Sequence, residues 1–186
     1  MPAGYLSNPI MLIANTVIGA YIFVLILRVL LQYSGADSRN PVSSFIIKAT
    51  QAPLTALKPI FPTIKNINVS AIALVLALQM ALGLMMVMGQ PNASIWMIFI
   101  WSLTEVISNI INVFIYSIFA TVILSWINPG AHNPIIELLY KITEPVLKPC
   151  QRLIPPMGGF DLSPMVALLG LQVIKMLLLP PLFALM

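Results

Sequence analysis

Long apolar runs alternate along this chain with two polar, proline-rich stretches, and the runs have the length of membrane spans. The first, Ile10 to Tyr33, is about 24 residues, or about 36 Å as a helix, against a hydrocarbon core of about 30 Å. It predicts a span over 9–33, with Asn8 as cap and Pro9 in the first turn. Its one charge, Arg28, lies near the end, where a long side chain reaches the headgroups. Met1 to Ser7 carry no basic residue, so the run reads as a retained span rather than a secretory signal. Residues 41–61 are too broken by proline and lysine to cross a bilayer. A second span covers 70–88, apolar throughout but for Gln79, and Gly89-Gln90-Pro91-Asn92 reads as a turn. The following run is about 35 residues, too long for one upright span. It divides into an external, interfacial connection at 89–101 and a span at 102–127, ended by Asn128-Pro129-Gly130. A broken stretch at 134–154 leads to the last span, 163–179, whose terminal turns Pro180 and Pro181 bend or break.

The two halves of the chain repeat one another. Displacing the sequence by 93 residues puts Asn40-Pro41 on Asn133-Pro134, Lys48 on Lys141, Thr50 on Thr143 and Pro62 on Pro155. Asn68 then falls on Asp161, Ser70 on Ser163 and Leu78-Gln79 on Leu171-Gln172. Leucine matches are cheap among apolar helices, but matched Asn-Pro, Thr, Ser and Gln in one ungapped register are not. A unit with two crossings returns to its starting side, so both copies share one orientation. The predicted fold is an all-α membrane protein with about four transmembrane helices in two parallel-oriented two-span repeats, 9–88 and 102–179. Each repeat carries a cytoplasmic amphipathic segment, at 41–61 or 134–154.

Composition supports the bilayer as solvent. Of 186 residues 60% are hydrophobic and 8% charged, with a mean hydropathy of +1.00, whereas a soluble domain carries roughly 25% charge. Seven of the nine basic residues lie in the two long loops: Arg39, Lys48, Lys58 and Lys65, then Lys141, Lys148 and Arg152. The opposite side, Met1 to Asn8, Gly89 to Trp101 and the C-terminus, carries no charge. Positive charge stays inside, so the loops are expected in the cytoplasm and both termini in the periplasm.

Asn40 and Asn133 can cap helices whose first residues are Pro41 and Pro134. In the second loop Ile135, Leu138, Leu139 and Ile142 share one helical face, with Glu137 and Lys141 on the other. Such a helix suits the headgroup plane of an anionic lipid bilayer, or packing beneath the bundle.

These residues also carry a family resemblance. Ser125-Trp126, Asn133-Pro134, the run Thr143-Glu144-Pro145-Val146-Leu147-Lys148-Pro149, and the run from Arg152 through Met157-Gly158-Gly159-Phe160-Asp161 to Pro164 resemble the repeat of the YggT family. The first copy, with Arg28, Gln32, Asn40-Pro41 and Thr50-Gln51, is similar but has Thr63-Ile64-Lys65-Asn66 where the family has a Met-Gly-Gly turn. Gln151 stands where such proteins often have arginine. The resemblance implies a bacterial inner-membrane protein linked to tolerance of osmotic shock. Single-repeat relatives in plastids and cyanobacteria are associated with haem attachment in the cytochrome b–f complex, or with nucleoid and division behaviour.

Two function classes follow: a non-enzymatic scaffold or assembly factor, or a small solute or ion transporter. The expected partners are the lipid bilayer and another membrane protein or a second copy of the chain; nucleic acid and cofactors are not expected. One cysteine, Cys150, and one histidine, His132, leave no disulfide and no multi-cysteine or multi-histidine metal site. Polar residues within spans are the transport candidates: Gln79, Gln172, Asn109, Asn112, Glu105 and Lys175. Lys175 either pairs with Glu105 or stands as a separate charge. A path between the repeats would bring Gln79 and Gln172 near its axis. The partner-binding candidates are Asn40, Pro41, Asn133, Pro134, Lys141, Lys148, Arg152, Gly158, Gly159 and Asp161, with Gly158-Gly159 as a tight turn into the last span.

Overall fold

The structure is a computed structural model that describes residues 7–87, 94–127, 133–154 and 161–185. Its helices are α1 (Ser7–Tyr33), α2 (Pro41–Leu57), α3 (Val69–Val87), α4 (Ile95–Ile127), α5 (Pro134–Leu153) and α6 (Ser163–Phe183). Four of them, α1, α3, α4 and α6, are long and apolar enough to cross a membrane, and the chain is a multi-pass membrane protein. Among the described residues there is no strand, only an isolated antiparallel bridge between Ile64 and Ile67.

Local chemistry sets the helix ends. Asn40 and Asn133 accept hydrogen bonds from the backbone amides of Val42 (3.0 Å) and Ile135 (2.9 Å), each followed by a proline whose missing amide needs no partner there. α1 stops at Gly35, whose φ of 66° closes a left-handed cap; the Ala36 amide donates back to the Leu31 carbonyl at 2.9 Å.

Two helices are more continuous than the sequence suggests. No break separates 94–101 from the span after it, because α4 runs unbroken for 33 residues, about 50 Å. Nothing in Ile95–Ile127 is a proline or glycine, so no residue imposes a break. α6 likewise runs through Pro180 and Pro181 to Phe183. Those prolines sit in its final turn, where few downstream hydrogen bonds remain to be lost.

Within each repeat the first and last spans pack together, α1 on α3 and α4 on α6, with the loop helix beneath them. Matched positions occupy matched places: Leu25 and Ile118, Thr50 and Thr143, and Ser70 and Ser163 are all 0% exposed. The repeats join through α3, which lies against α4, while α1 touches α4 more lightly. α6 has no contact with α1 or α3. The contact between repeats is close because Gly83 has no side chain. A Cβ there would meet Ile98 Cγ2 and the Trp101 ring at 3.1 Å. Beside it is an apolar recess of about 160 Å³ lined by Gly83, Met86, Val87, Met97, Ile98 and Trp101.

Candidate functional site: the joined loop helices

The two loop helices sit under the bundle with one apolar face turned into it. Ile46 and Leu54 of α2 and Leu138 and Ile142 of α5 enter the main core cluster, and Leu147 enters the cluster between α4 and α6. Ile135, placed by its spacing on the same face, is instead exposed at the start of α5.

Polar contacts fix α2 to α1. The Arg28 guanidinium does not turn to the headgroups. It donates to the Ile47 carbonyl (2.8 Å), Thr50 Oγ1 (3.0 Å) and Gln51 Oε1 (3.0 Å). α2 folds back close enough to α1 to bring these acceptors within hydrogen-bond reach. One and two turns away, two more bonds act on the same side of α1. Tyr21 donates to the carbonyl of Ala49 at 3.5 Å, a carbonyl whose usual amide partner is missing because residue 53 is proline. Gln32 accepts from Asn68 at 3.2 Å, ahead of α3. The stripe Tyr21, Arg28, Gln32 at helical spacing is the signal in the sequence that marks this face. What the stripe does not show is that it clamps a second helix.

The repeats share the way each loop rejoins its span. Ser70 Oγ donates to the Phe61 carbonyl, and Ser163 Oγ to the equivalent Ile154 carbonyl at 3.5 Å. Asn68 accepts from the Ala71 amide at 3.1 Å. Asp161 accepts from the Ser163 amide at 2.8 Å and from Gln151 at 3.1 Å. Slight burial acts to raise the Asp161 pKa, but the hydrogen bonds from Ser163 and Gln151 outweigh it and hold the carboxyl below its usual value.

The loop helices also meet each other. Asn40 Nδ2 donates to the Pro134 carbonyl at 2.9 Å, joining the N-termini of α2 and α5 across the repeat boundary. Asn40 is buried and Asn133 exposed, so only the first asparagine both caps and joins. Pro41 and Pro134 are exposed at these ends.

The outer face of α5 is charged. Glu144 lies between Lys148 and Lys141 and pairs with both, Lys141 at 3.2 Å. Hydrogen bonds from Lys148 and then Lys141 hold the Glu144 pKa below its usual value. Lys141, Lys148 and Arg152 are exposed. At the matching positions of the first repeat stand Lys48, Gln51, Thr55 and Pro59, so the ionic row belongs to the second repeat. Gly158 and Gly159 lie outside the described residues.

The polar span residues do not form one seam. Gln79 is 5% exposed in α3, whereas Gln172 is exposed on α6, and these helices do not touch. Asn109 is half-buried in α4. Lys175 pairs with Asn112, donating from Nζ at 2.8 Å, and not with Glu105, which is half-buried two turns further along α4. Among the described residues both ion pairs involve Glu144, and no group of three His, Cys, Asp or Glu could hold a metal.

The sequence model of the CCB3/YggT family matches residues 7–89 and again residues 100–182. The chain belongs to the CCB3/YggT family. One copy of the family unit is α1 to α3 and the other α4 to α6, offset as the repeat requires. The chain is similar to proteins described as uncharacterised in several bacteria. It is 37% identical to PA0392 of Pseudomonas aeruginosa over 94% of this chain and 90% of that one. A Haemophilus influenzae protein is 36% identical over 84% of each chain. The protein YggT of Escherichia coli K12 is 32% identical over 91% of this chain and 88% of its own. No solved structure matches the chain.

Proposed function

We propose that this chain is a non-enzymatic protein of the bacterial inner membrane, a scaffold or assembly factor serving envelope homeostasis under osmotic stress. The joined loop helices carry this reading. α2 is held to α1 by Arg28 and joined to α5 through Asn40, while α5 buries Leu138, Ile142 and Leu147 and turns a row of basic groups outward. A rigid, charged, amphipathic face suits docking against anionic headgroups and a membrane-protein partner. Each lysine or arginine near such a surface contributes about 1 kcal/mol. Replacing Lys141, Lys148 and Arg152 together with glutamine is expected to weaken survival of osmotic shock in cells that depend on this protein, with membrane insertion unchanged. Full survival would remove the docking role from this face.

The charge imbalance supports cytoplasmic loops and periplasmic termini. Cysteines placed at Gly4 and at Gln90, in a Cys150→Ser background, are expected to react with an impermeant thiol reagent in intact cells. A cysteine at Ser38 is expected to stay unlabelled, and the reverse pattern would invert the topology.

A further inference from the structure

The repeat predicts more contacts than one chain makes. Where α3 lies against α4, Gln79 and Gly83 are buried, one turn apart on α3. Their equivalents on α6 are Gln172 and Met176, and both are exposed, Met176 by 74%. The α4 side shows the same imbalance. Val106 and Val113 are buried in the core shared with the first repeat, and Ile110 packs against it. Their equivalents on α1 are Ile13, Val17 and Ala20, all exposed, the first two by 63%. Each chain therefore has an unfilled copy of the α3 face at one edge and an unfilled copy of the α4 face at the other.

We infer that α6 of one copy docks on α1 of a second copy in the same membrane orientation, repeating the contact that α3 makes with α4. Three observations point to this occupant. Among the described residues α1 and α6 do not touch, so neither covers the other's face. Gln172 is a polar side chain on the outer surface of a span, where lipid offers its amide no partner; its counterpart Gln79, one turn from the Gly83 contact with α4, is buried. The sizes also compensate. Gly83 fits against Trp101 in the existing contact, and in the sequence the equivalent positions are Met176 and Asn8, a large residue paired with a smaller one. Such a head-to-tail contact is heterologous: it closes into a ring or continues as a row, according to the rotation between copies.

The test uses two differently tagged copies of the full chain in one membrane, both Cys150→Ser, one with Asn8→Cys and the other with Met176→Cys. Mild oxidation is expected to give a disulfide-linked product carrying both tags. The comparison replaces Met176→Cys with Ile174→Cys. Ile174 is exposed at nearly the same depth, but its counterpart, Ala81, stays exposed even where α3 meets α4. The Met176 pair should exceed the Ile174 pair several-fold. Equal yields would overturn the proposal. So would preferential linking of Met176→Cys to itself, which denotes a symmetric contact, or to a protein of different mass. Membrane insertion of each variant is checked by carbonate extraction, and the comparison is made at equal inserted amounts.

Discussion

Replacing Arg28 with alanine is expected to release α2 from the bundle while leaving α5 in place. Three acceptors lose a charged donor at once: the Ile47 carbonyl, Thr50 Oγ1 and Gln51 Oε1. Hydrogen bonds to charged groups contribute about 1.5–3 kcal/mol each in isolation, and they are not additive. Removing the charge also relieves its desolvation, so a net loss of about 2–3 kcal/mol is expected. Besides the bonds of Tyr21 and Asn40, α2 has few apolar anchors. Its buried large apolar residues are Ile46 and Leu54, whereas α5 buries Leu138, Ile142 and Leu147. The position matching Arg28 in α4 is Thr121, which turns back to the Ser117 carbonyl at 2.7 Å and reaches no loop helix. The second repeat is therefore an internal control. Amide exchange in detergent or nanodiscs should accelerate across 41–57 and change little across 134–153. Equal acceleration in both segments would mean that Arg28 supports the bundle in general, and no change would deny the clamp.

The spans, the repeat and the loop-helix caps are legible in the sequence because each rests on local or periodic chemistry. An apolar run of sufficient length becomes a spanning helix, and Asn-Pro before an apolar run becomes a capped start. The 93-residue register is legible for the same reason: it relates two stretches that fold alike, and Thr50 with Thr143 or Ser70 with Ser163 are buried alike. That register says nothing of how the two copies dock. Gln79 and Gln172 look equivalent in the sequence, yet one is covered and the other exposed, because α3 has a neighbour that α6 lacks. The deciding feature is the lateral fit of Gly83 against Trp101, and an isolated glycine in an apolar run does not announce its partner. The contacts of Arg28 are hidden for a similar reason. A basic residue near a span end normally reaches for headgroups, and only the return of α2 beneath α1 supplies nearer acceptors. The continuity of α4 is hidden by length, since the hydrocarbon thickness limits a perpendicular span but not a helix that tilts or projects.

The two asparagines that look interchangeable in the sequence are expected to respond unequally to alanine. Both cap a loop helix through Oδ1, and loss of such a cap costs about 0.5–2 kcal/mol. Asn133 is exposed, so water can replace its bond to the Ile135 amide, and Asn133→Ala belongs at the low end of that range. Asn40 is 7% exposed and makes a second bond, from its Nδ2 to the Pro134 carbonyl at 2.9 Å. In Asn40→Ala that carbonyl and the Val42 amide both lose a partner in a place with little access for water. A net bond of about 0.5–1.5 kcal/mol is added to the cap, giving a total of about 1–3.5 kcal/mol. Asn40→Asp keeps an acceptor for the Val42 amide but sets a carboxylate against the Pro134 carbonyl with little water to solvate it, so it does not restore what Asn40→Ala loses. Thermal unfolding in one detergent should therefore show both Asn40 variants losing more than Asn133→Ala. Exchange at the start of α5 should rise in both Asn40 variants although no residue of α5 has been changed. Equal losses for Asn40→Ala and Asn133→Ala, with α5 undisturbed by either Asn40 variant, would show that the bond between the loop helices carries no energy. The two helices would then be independent attachments and not one platform.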